Sequence, residues 1–374
     1  MGPVIQSGRL AVCFFAWTCL LWSSAAHPQT AQTWPQPRED DYVAKDFRFK
    51  DGSVLHELRL HYRVLGEAHR DGAGHVDNAV LILHGTGGSG ASFLTPRFAG
   101  VLFAPGGLLD ASTYFIILPD DIGHGKSSKP SDGMHARFPS YDYDDMVLAE
   151  HLVVAQALGV DHLRLILGTS MGCMHSWVWG ETYPGAADAL MPLACNTVPI
   201  GGRNRVSREM AMDAIRSDPE WMQGEYKTQP RGLKTAIDML MLMGSSPLQW
   251  QKLYPTRDAA DAFLEKTQSA YMNSLDANDF LYQFNSSRNY DPSKNLETIT
   301  VPVMAINSAD DFINPPELDI MPTEIKRLPR GKFVLLPVTD ETRGHGTHSL
   351  PAIWSPYLKE LLQESESKAS STQH

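Results

Sequence analysis

The sequence predicts an α/β protein, with a mostly parallel sheet covered by helices on both faces and a helical lid inserted into it. Three observations carry that prediction. Short apolar runs of strand length alternate with helix-like segments from about residue 55 onward, the pattern of strands buried on both faces. A tight Gly-x-Ser-x-Gly turn joins one of these runs directly to a helix-like stretch. Between about Pro199 and Asn295 the strand pattern lapses into Met-rich sequence of helical spacing.

The first residues read as a leader. Arg9 precedes an apolar stretch from Leu10 to Trp22, and Ser24-Ala25-Ala26 forms a small-residue exit before polar His27-Pro28-Gln29. This order fits a secretory signal peptide over 1–26; the stretch is short for a membrane span, so an uncleaved anchor is the weaker alternative. A secreted or periplasmic protein with no stable membrane insertion after cleavage is expected. Cys13 and Cys19 would leave with the leader. Cys173 and Cys195 remain, too few for a disulfide framework and not in metal-ligand spacing; a single bond between them stays open.

The sheet domain is assigned to 27–198 and 296–374, and the lid to 199–295. Its first strands are Ala79 to Leu83, Tyr114 to Leu118 and Leu163 to Leu167, with others near Ala189 to Ala194, Val301 to Ile306 and Phe333 to Val338. Asp144 to Leu158 has helical spacing and stops at Gly159, a residue suited to ending a helix. Lid helices are expected over Ser207 to Ser217 and Leu233 to Met243, their methionines serving mainly to fill core space. The Ser-, Glu- and Lys-rich tail from Gln363 to His374 reads as a frayed terminus. With 43 acidic and 32 basic side chains the net charge is -11, which leaves no basic footprint for nucleic acid.

The strongest chemical signal is Gly168-Thr169-Ser170-Met171-Gly172, placed after a strand and before the helix-like run Cys173 to Tyr183. In that context the turn is a nucleophile elbow: only small residues fit beside the Ser, and its hydroxyl projects above the sheet at a helix N-terminus. A serine hydroxyl needs a base and an orienting carboxylate, and on such a sheet they follow in the order Ser, Asp, His. The Ser308-Ala309-Asp310-Asp311 stretch follows the strand at 301–306, and Pro315 stands four residues beyond Asp311. Asp311 is preferred to Asp310 as the acid. Gly344-His345-Gly346-Thr347-His348 follows the last strand; His345 is preferred to His348, which is assigned to loop structure or pocket lining. Backbone N–H groups of Met171 and of Thr86, in the run His84-Gly85-Thr86-Gly87-Gly88, are the candidate oxyanion donors. A phosphate-binding loop would need a Lys-Ser/Thr ending that this run lacks.

Leu83-His84-Gly85, Asp121-Ile122-Gly123-His124-Gly125-Lys126-Ser127, the elbow, the acid loop and Gly344-His345 together resemble the α/β-hydrolase superfamily, over nearly all of the mature chain. More narrowly, Gly168 to Met174 and the run Ala214-Ile215-Arg216-Ser217-Asp218-Pro219-Glu220-Trp221, with Gly224 and Tyr226, resemble homoserine O-acetyltransferases. The resemblance implies acyl transfer through an acyl-Ser170 intermediate to water or an alcohol, with Met212 and Tyr226 as substrate-binding candidates. It also exposes a departure. Met212 stands where those transferases place an Arg for the amino-acid carboxylate, and a thioether cannot make that bidentate contact; Arg203, Arg205 and Arg208 are the available substitutes. The expected partner is a small-molecule acyl substrate, with no cofactor and no metal. Export favours a hydrolase over an acyl-CoA-dependent O-acyltransferase, and a non-catalytic binding protein is the third reading.

Overall fold

A computed structural model describes Gly2 and residues 32–369; the signal-peptide assignment lies outside the described residues. Eight strands form one sheet: β1 (Arg38–Arg48), β2 (Val54–Leu65), β3 (Ala79–Leu83), β4 (Phe115–Pro119), β5 (Leu165–Thr169), β6 (Leu190–Leu193), β7 (Val303–Ser308) and β8 (Gly331–Leu336). Their order is β1-β2-β4-β3-β5-β6-β7-β8. β2 runs antiparallel to both neighbours, and every later pairing is parallel. The helices are α1 (Ala99–Leu102), α2 (Tyr143–Leu152), α3 (Met171–Thr182), α4 (Gly202–Arg216), α5 (Arg231–Met243), α6 (Pro247–Leu253), α7 (Arg257–Ser274), α8 (Ala277–Asn285), α9 (Ile320–Glu324) and α10 (Pro351–Ala369).

The alternation of side chains along β3 shows why helices must cover both faces. Ala79, Leu81 and Leu83 enter a core with Met146 and Val147 of α2 and Trp177 and Val178 of α3. Val80 and Ile82 point the other way, into a core with Leu102 of α1 and Trp354 and Leu358 of α10. Both sets are buried, so the strand reads as an unbroken apolar run. The insertion between β6 and β7 keeps a third core of its own, in which Ala211, Met212 and Ile215 of α4 meet Leu233 and Ile237 of α5 and Phe280 and Phe284 of α8.

The parallel strands and α5 fall where the sequence places them, within about two residues, whereas α4 starts at Gly202, five residues before the expected Ser207. Helix α2 is capped by Asp142, whose carboxylate accepts from the N–H groups of Asp144 and Asp145 at 3.1 and 3.2 Å. A π-helical turn over Val153–Ala157 extends it toward Gly159, whose φ is +61°. β1 and the start of β2 are not foreseen, because β1 is largely exposed and shows no apolar run. The frayed tail needs correction: α10 continues to Ala369, with residues 370–374 outside the described set. Buried Arg164 anchors it, donating to Ser365 Oγ and to Leu362 O, each at 2.8 Å. Cys173 on α3 is disulfide-bonded to Cys195 just beyond β6, with their Cα atoms 5.9 Å apart.

Candidate active site

Ser170 sits between β5 and α3 with φ +55° and ψ −106°, a strained conformation for a residue with a Cβ, held by its surroundings. Ser170 N–H donates to Leu193 O, and Gly172 N–H to His84 O, each at 2.9 Å. A Cβ on Gly168 would meet Gly172 O at 1.9 Å, and one on Gly172 would meet Leu83 O at 2.2 Å. Glycine on each side of the Ser is therefore a packing requirement of the turn.

The loops after β7 and β8 bring a base and an acid to this serine. Ser170 Oγ lies 2.7 Å from His345 Nε2, and His345 Nδ1 lies 3.0 Å from Asp311 Oδ2. Asp311 also accepts from the N–H groups of Ile313 and Asn314 at 2.8 and 3.1 Å. Burial pushes its carboxyl up, but the His345 charge and these hydrogen bonds outweigh burial and hold it below its usual value. An ionised Asp311 can only accept, so Nδ1 carries a proton, and in the neutral imidazole Nε2 is then the acceptor facing the serine hydroxyl. That is the tautomer a general base requires.

The neighbouring aspartate and histidine do different work. Asp310 Oδ2 accepts from Gly344 N–H at 2.9 Å and Thr342 Oγ1 at 3.1 Å, and also from Ser246 Oγ of the insertion at 3.2 Å. It fixes the loop that carries His345 without touching the imidazole. His348 packs edge-on against His345 with ring centroids 5.2 Å apart, and its backbone carbonyl accepts from Trp354 Nε1. Burial and the His345 charge push the His348 pKa down to about 3, so it sits neutral behind the pair.

The N–H groups of Thr86 and Met171 have no hydrogen-bond partner among the described residues. Both belong to backbone around Ser170: Met171 is the first residue of α3, and a Cβ on Gly85 would come within 3.2 Å of the Ser170 Cβ. Free amides beside a nucleophile can receive developing oxyanion charge.

Two cavities open on this group, one of about 970 Å³ and one of about 460 Å³, and Ser170 and His345 line both. Met212 and Tyr226 line neither. Met212 is fully buried in the core of the insertion, and Tyr226 packs against that core with its hydroxyl accepting from Asn278 N–H at 3.1 Å. The expectation that these two meet substrate is corrected, because α4 turns position 212 toward α5 and α8. Arg208, one helical turn earlier, lines both cavities; it shares the helical stripe of Ala211 and Ile215, so periodicity alone does not set it apart from the core.

Sequence reasoning missed a buried polar group behind the elbow. Asp121, Glu150 and His175 bring metal-ligand-type atoms within 4.8 Å of one another. Glu150 meets His175 Nδ1 at 2.6 Å and accepts from Trp179 Nε1 at 2.5 Å. Burial drives Asp121 well above its usual value and Glu150 to about 7, and lowers His175. His84 Nε2 lies 3.3 Å from Asp121 Oδ2 but accepts from Asp121 N–H, and neither acid has a lysine or arginine partner among the described residues, so a proton held among them serves in place of a counter-ion. The donor set suits a divalent cation, but its Glu and His atoms already bond each other.

Fold and site together define an enzyme of the α/β-hydrolase class. Residues 78–345 match the family model described as alpha/beta hydrolase fold, and the chain belongs to that family. Among its curated relatives, a "Probable acyltransferase" of Methanothermobacter thermautotrophicus is 29% identical over 306 residues, covering 81% of this chain and 91% of the relative. A "Homoserine O-acetyltransferase" of Pelobacter propionicus is 26% identical over 371 residues, covering 88% of this chain and 98% of the relative. Among solved structures, an acetylester hydrolase from Corynebacterium glutamicum superposes with TM-score 0.76 at 19% identity, covering 87% of this chain and 96% of the other. The homoserine O-acetyltransferase from Bacillus anthracis gives 0.75, also at 19% identity, covering 88% and 98%. The acetyltransferase resemblance read from the sequence is thus matched by curated relatives, and the solved structures share the fold.

Proposed function

We propose that this protein is a secreted or periplasmic serine hydrolase that cleaves a small ester through an acyl-Ser170 intermediate. The continuous hydrogen-bonded chain from Ser170 through His345 to Asp311 carries this reading. Ser170 Oγ attacks the ester carbonyl while His345 Nε2 takes its proton, and the N–H groups of Thr86 and Met171 receive the oxyanion. The imidazolium then returns that proton to the leaving alcohol. Water, deprotonated by the same nitrogen, releases the acid and restores Ser170. Asp311 stays ionised throughout, orienting the ring and stabilising its charge.

Water is the favoured acceptor for reasons of compartment. The Arg9-to-Ala26 leader pattern supports export, and so does the Cys173–Cys195 bond, since such bonds persist in oxidising compartments. An exported enzyme meets abundant water and little acyl-CoA. The names of the curated relatives favour a second reading, an acyl-CoA-dependent O-acyltransferase. Product analysis decides between them: purified protein is given acetyl and butyryl esters, and separately acetyl-CoA with homoserine. Ester cleavage that is lost in Ser170→Ala is expected, while efficient O-acetylhomoserine formation with negligible ester cleavage would replace the hydrolase by the transferase. N-terminal sequencing of exported protein should find a start at or just after His27.

A further inference from the structure

Arg208 is an arginine out of its usual circumstances. It is 5% exposed, yet it has no acidic partner among the described residues. Nε donates to Asn204 Oδ1 at 3.0 Å and Nη1 to Ser287 Oγ at 3.3 Å, while Nη2 makes no hydrogen bond among the described residues. Its guanidinium carbon lies 5.4 Å from the centroid of the Phe284 ring. A buried cation without a counter-charge is costly, and nearly all buried charges are paired. The missing partner has an obvious place to come from, because Arg208 lines both cavities that open on Ser170.

Two further arginines without ion pairs among the described residues share those walls. Arg203 lines the larger cavity, with its guanidinium 3.7 Å above the Phe312 ring and one nitrogen donating to Phe312 O at 2.6 Å. Arg97 lines the smaller one and is exposed. Acidic lining is limited to Asp310 and Asp311, both held by the loops that carry the site, and to exposed Glu317. A chain of net charge -11 has therefore placed unpaired cations around its serine, an arrangement that concentrates and orients anions.

We propose that the substrate is an anionic ester, carrying a carboxylate that Arg208 binds at the junction of the two cavities beside Ser170. The proposal rests on the ester-cleaving reading of the same serine and specifies its substrate class: monoesters of dicarboxylic acids and acyl esters of hydroxy acids. A planar carboxylate accepts two parallel bonds from a guanidinium fork, which fixes the ester's distance from the nucleophile as well as its charge. Arg97 and Arg203 draw the anion inward from the cavity walls. Phosphate groups of an acyl-CoA would be attracted by the same charges.

Equilibrium binding to Ser170→Ala protein separates this assignment from the chemistry. Monoethyl glutarate should bind about 10- to 100-fold more tightly than diethyl glutarate. Adding Arg208→Gln should remove that preference, Arg208→Lys should keep part of it, and Arg97→Gln, at an exposed position, should weaken it about threefold. Equal binding of the two glutarate esters, or a preference that survives Arg208→Gln, overturns the assignment. So does acetyl-CoA binding more tightly than the monoester with the same dependence on Arg208, which would reassign the charges to phosphate. If the monoester binds as expected but the Ser170 enzyme does not cleave it, the hydrolase reading fails and the carboxylate site stands.

Discussion

The loops at the ends of β5, β7 and β8 and the helical insertion between β6 and β7 reach the same cavities under different constraints. Around Ser170 the backbone permits almost no alternative: a methyl group on Gly168 or Gly172 would collide with a carbonyl, and Ser170 is held at positive φ. In the insertion α4, α5 and α8 turn apolar faces toward one another, and backbone is tightly constrained only locally, as at Gly232, where a Cβ would meet Ala214 O at 2.1 Å. The residues of α4 that line the cavities, Gly202, Arg203, Asn204 and Arg208, belong to its N-terminal half, whereas Ala211, Met212 and Ile215 further along fill the core of the insertion. The elbow is thus fixed by steric necessity, and what α4 gives the cavities by position along the helix.

The largest expected effects fall on the constrained side. Asp311→Asn leaves the carboxamide able to donate to His345 Nδ1, which favours the wrong tautomer, and turnover should fall about 10⁴-fold with the fold intact. Asp310→Asn should cost far less, about 10- to 100-fold, because Asp310 acts on the imidazole only through Gly344 N–H, Thr342 and Ser246. Steady-state kinetics on the preferred ester, beside circular dichroism of both variants, makes the comparison. A dead Asp310 variant with an active Asp311 variant would exchange the two assignments.

An intermediate effect is expected in the insertion, where Met212→Arg tests whether position 212 faces core or cavity. The side chain is fully buried among Ala211, Ile215 and Leu233, so a guanidinium there has no water and no acid. Destabilisation of about 3 kcal/mol is expected from an uncompensated buried charge, read as a lowered denaturation midpoint, with no gain in homoserine acetylation. A stable variant that acquires acetyltransferase activity would put position 212 back in the substrate site.

The same division explains what was legible from sequence. Ser170, Asp311, His345, Thr86 and Met171 could be named because each follows a strand, at turns and loops whose glycines or acid pairs are locally visible. Met212 and Tyr226 were misplaced because a family resemblance fixes a position in the sequence and not the direction its side chain takes. Asp310 and Asp311 looked alike as a pair, and only the third dimension shows that one faces His345 Nδ1 and the other Gly344 N–H. The strand β1 and the start of β2 were hidden by exposure, since a segment with few buried residues leaves no apolar run. Asp121, Glu150 and His175 lie far apart in sequence, and nothing in their local context announces that they share one dry pocket.

That pocket gives the smallest predicted effect and tests how far constraint extends behind the elbow. Glu150 is raised to about 7, chiefly by burial, so the folded state holds its proton through a range where the unfolded chain, near 4.5, has released it. The native state then binds more protons than the unfolded one, and stability must fall as pH rises between those two values. Glutamine reproduces the protonated acid: its carbonyl can accept from Trp179 Nε1 while its amide donates to His175 Nδ1, the two atoms that Glu150 meets. Glu150→Gln should therefore match the natural protein near pH 5 and exceed its stability by about 2 kcal/mol at pH 8. Urea denaturation across that range measures the difference. If the variant is instead weaker at every pH, the oxygens of Glu150 carry charge in the folded state, and a cation rather than a proton balances Asp121, Glu150 and His175.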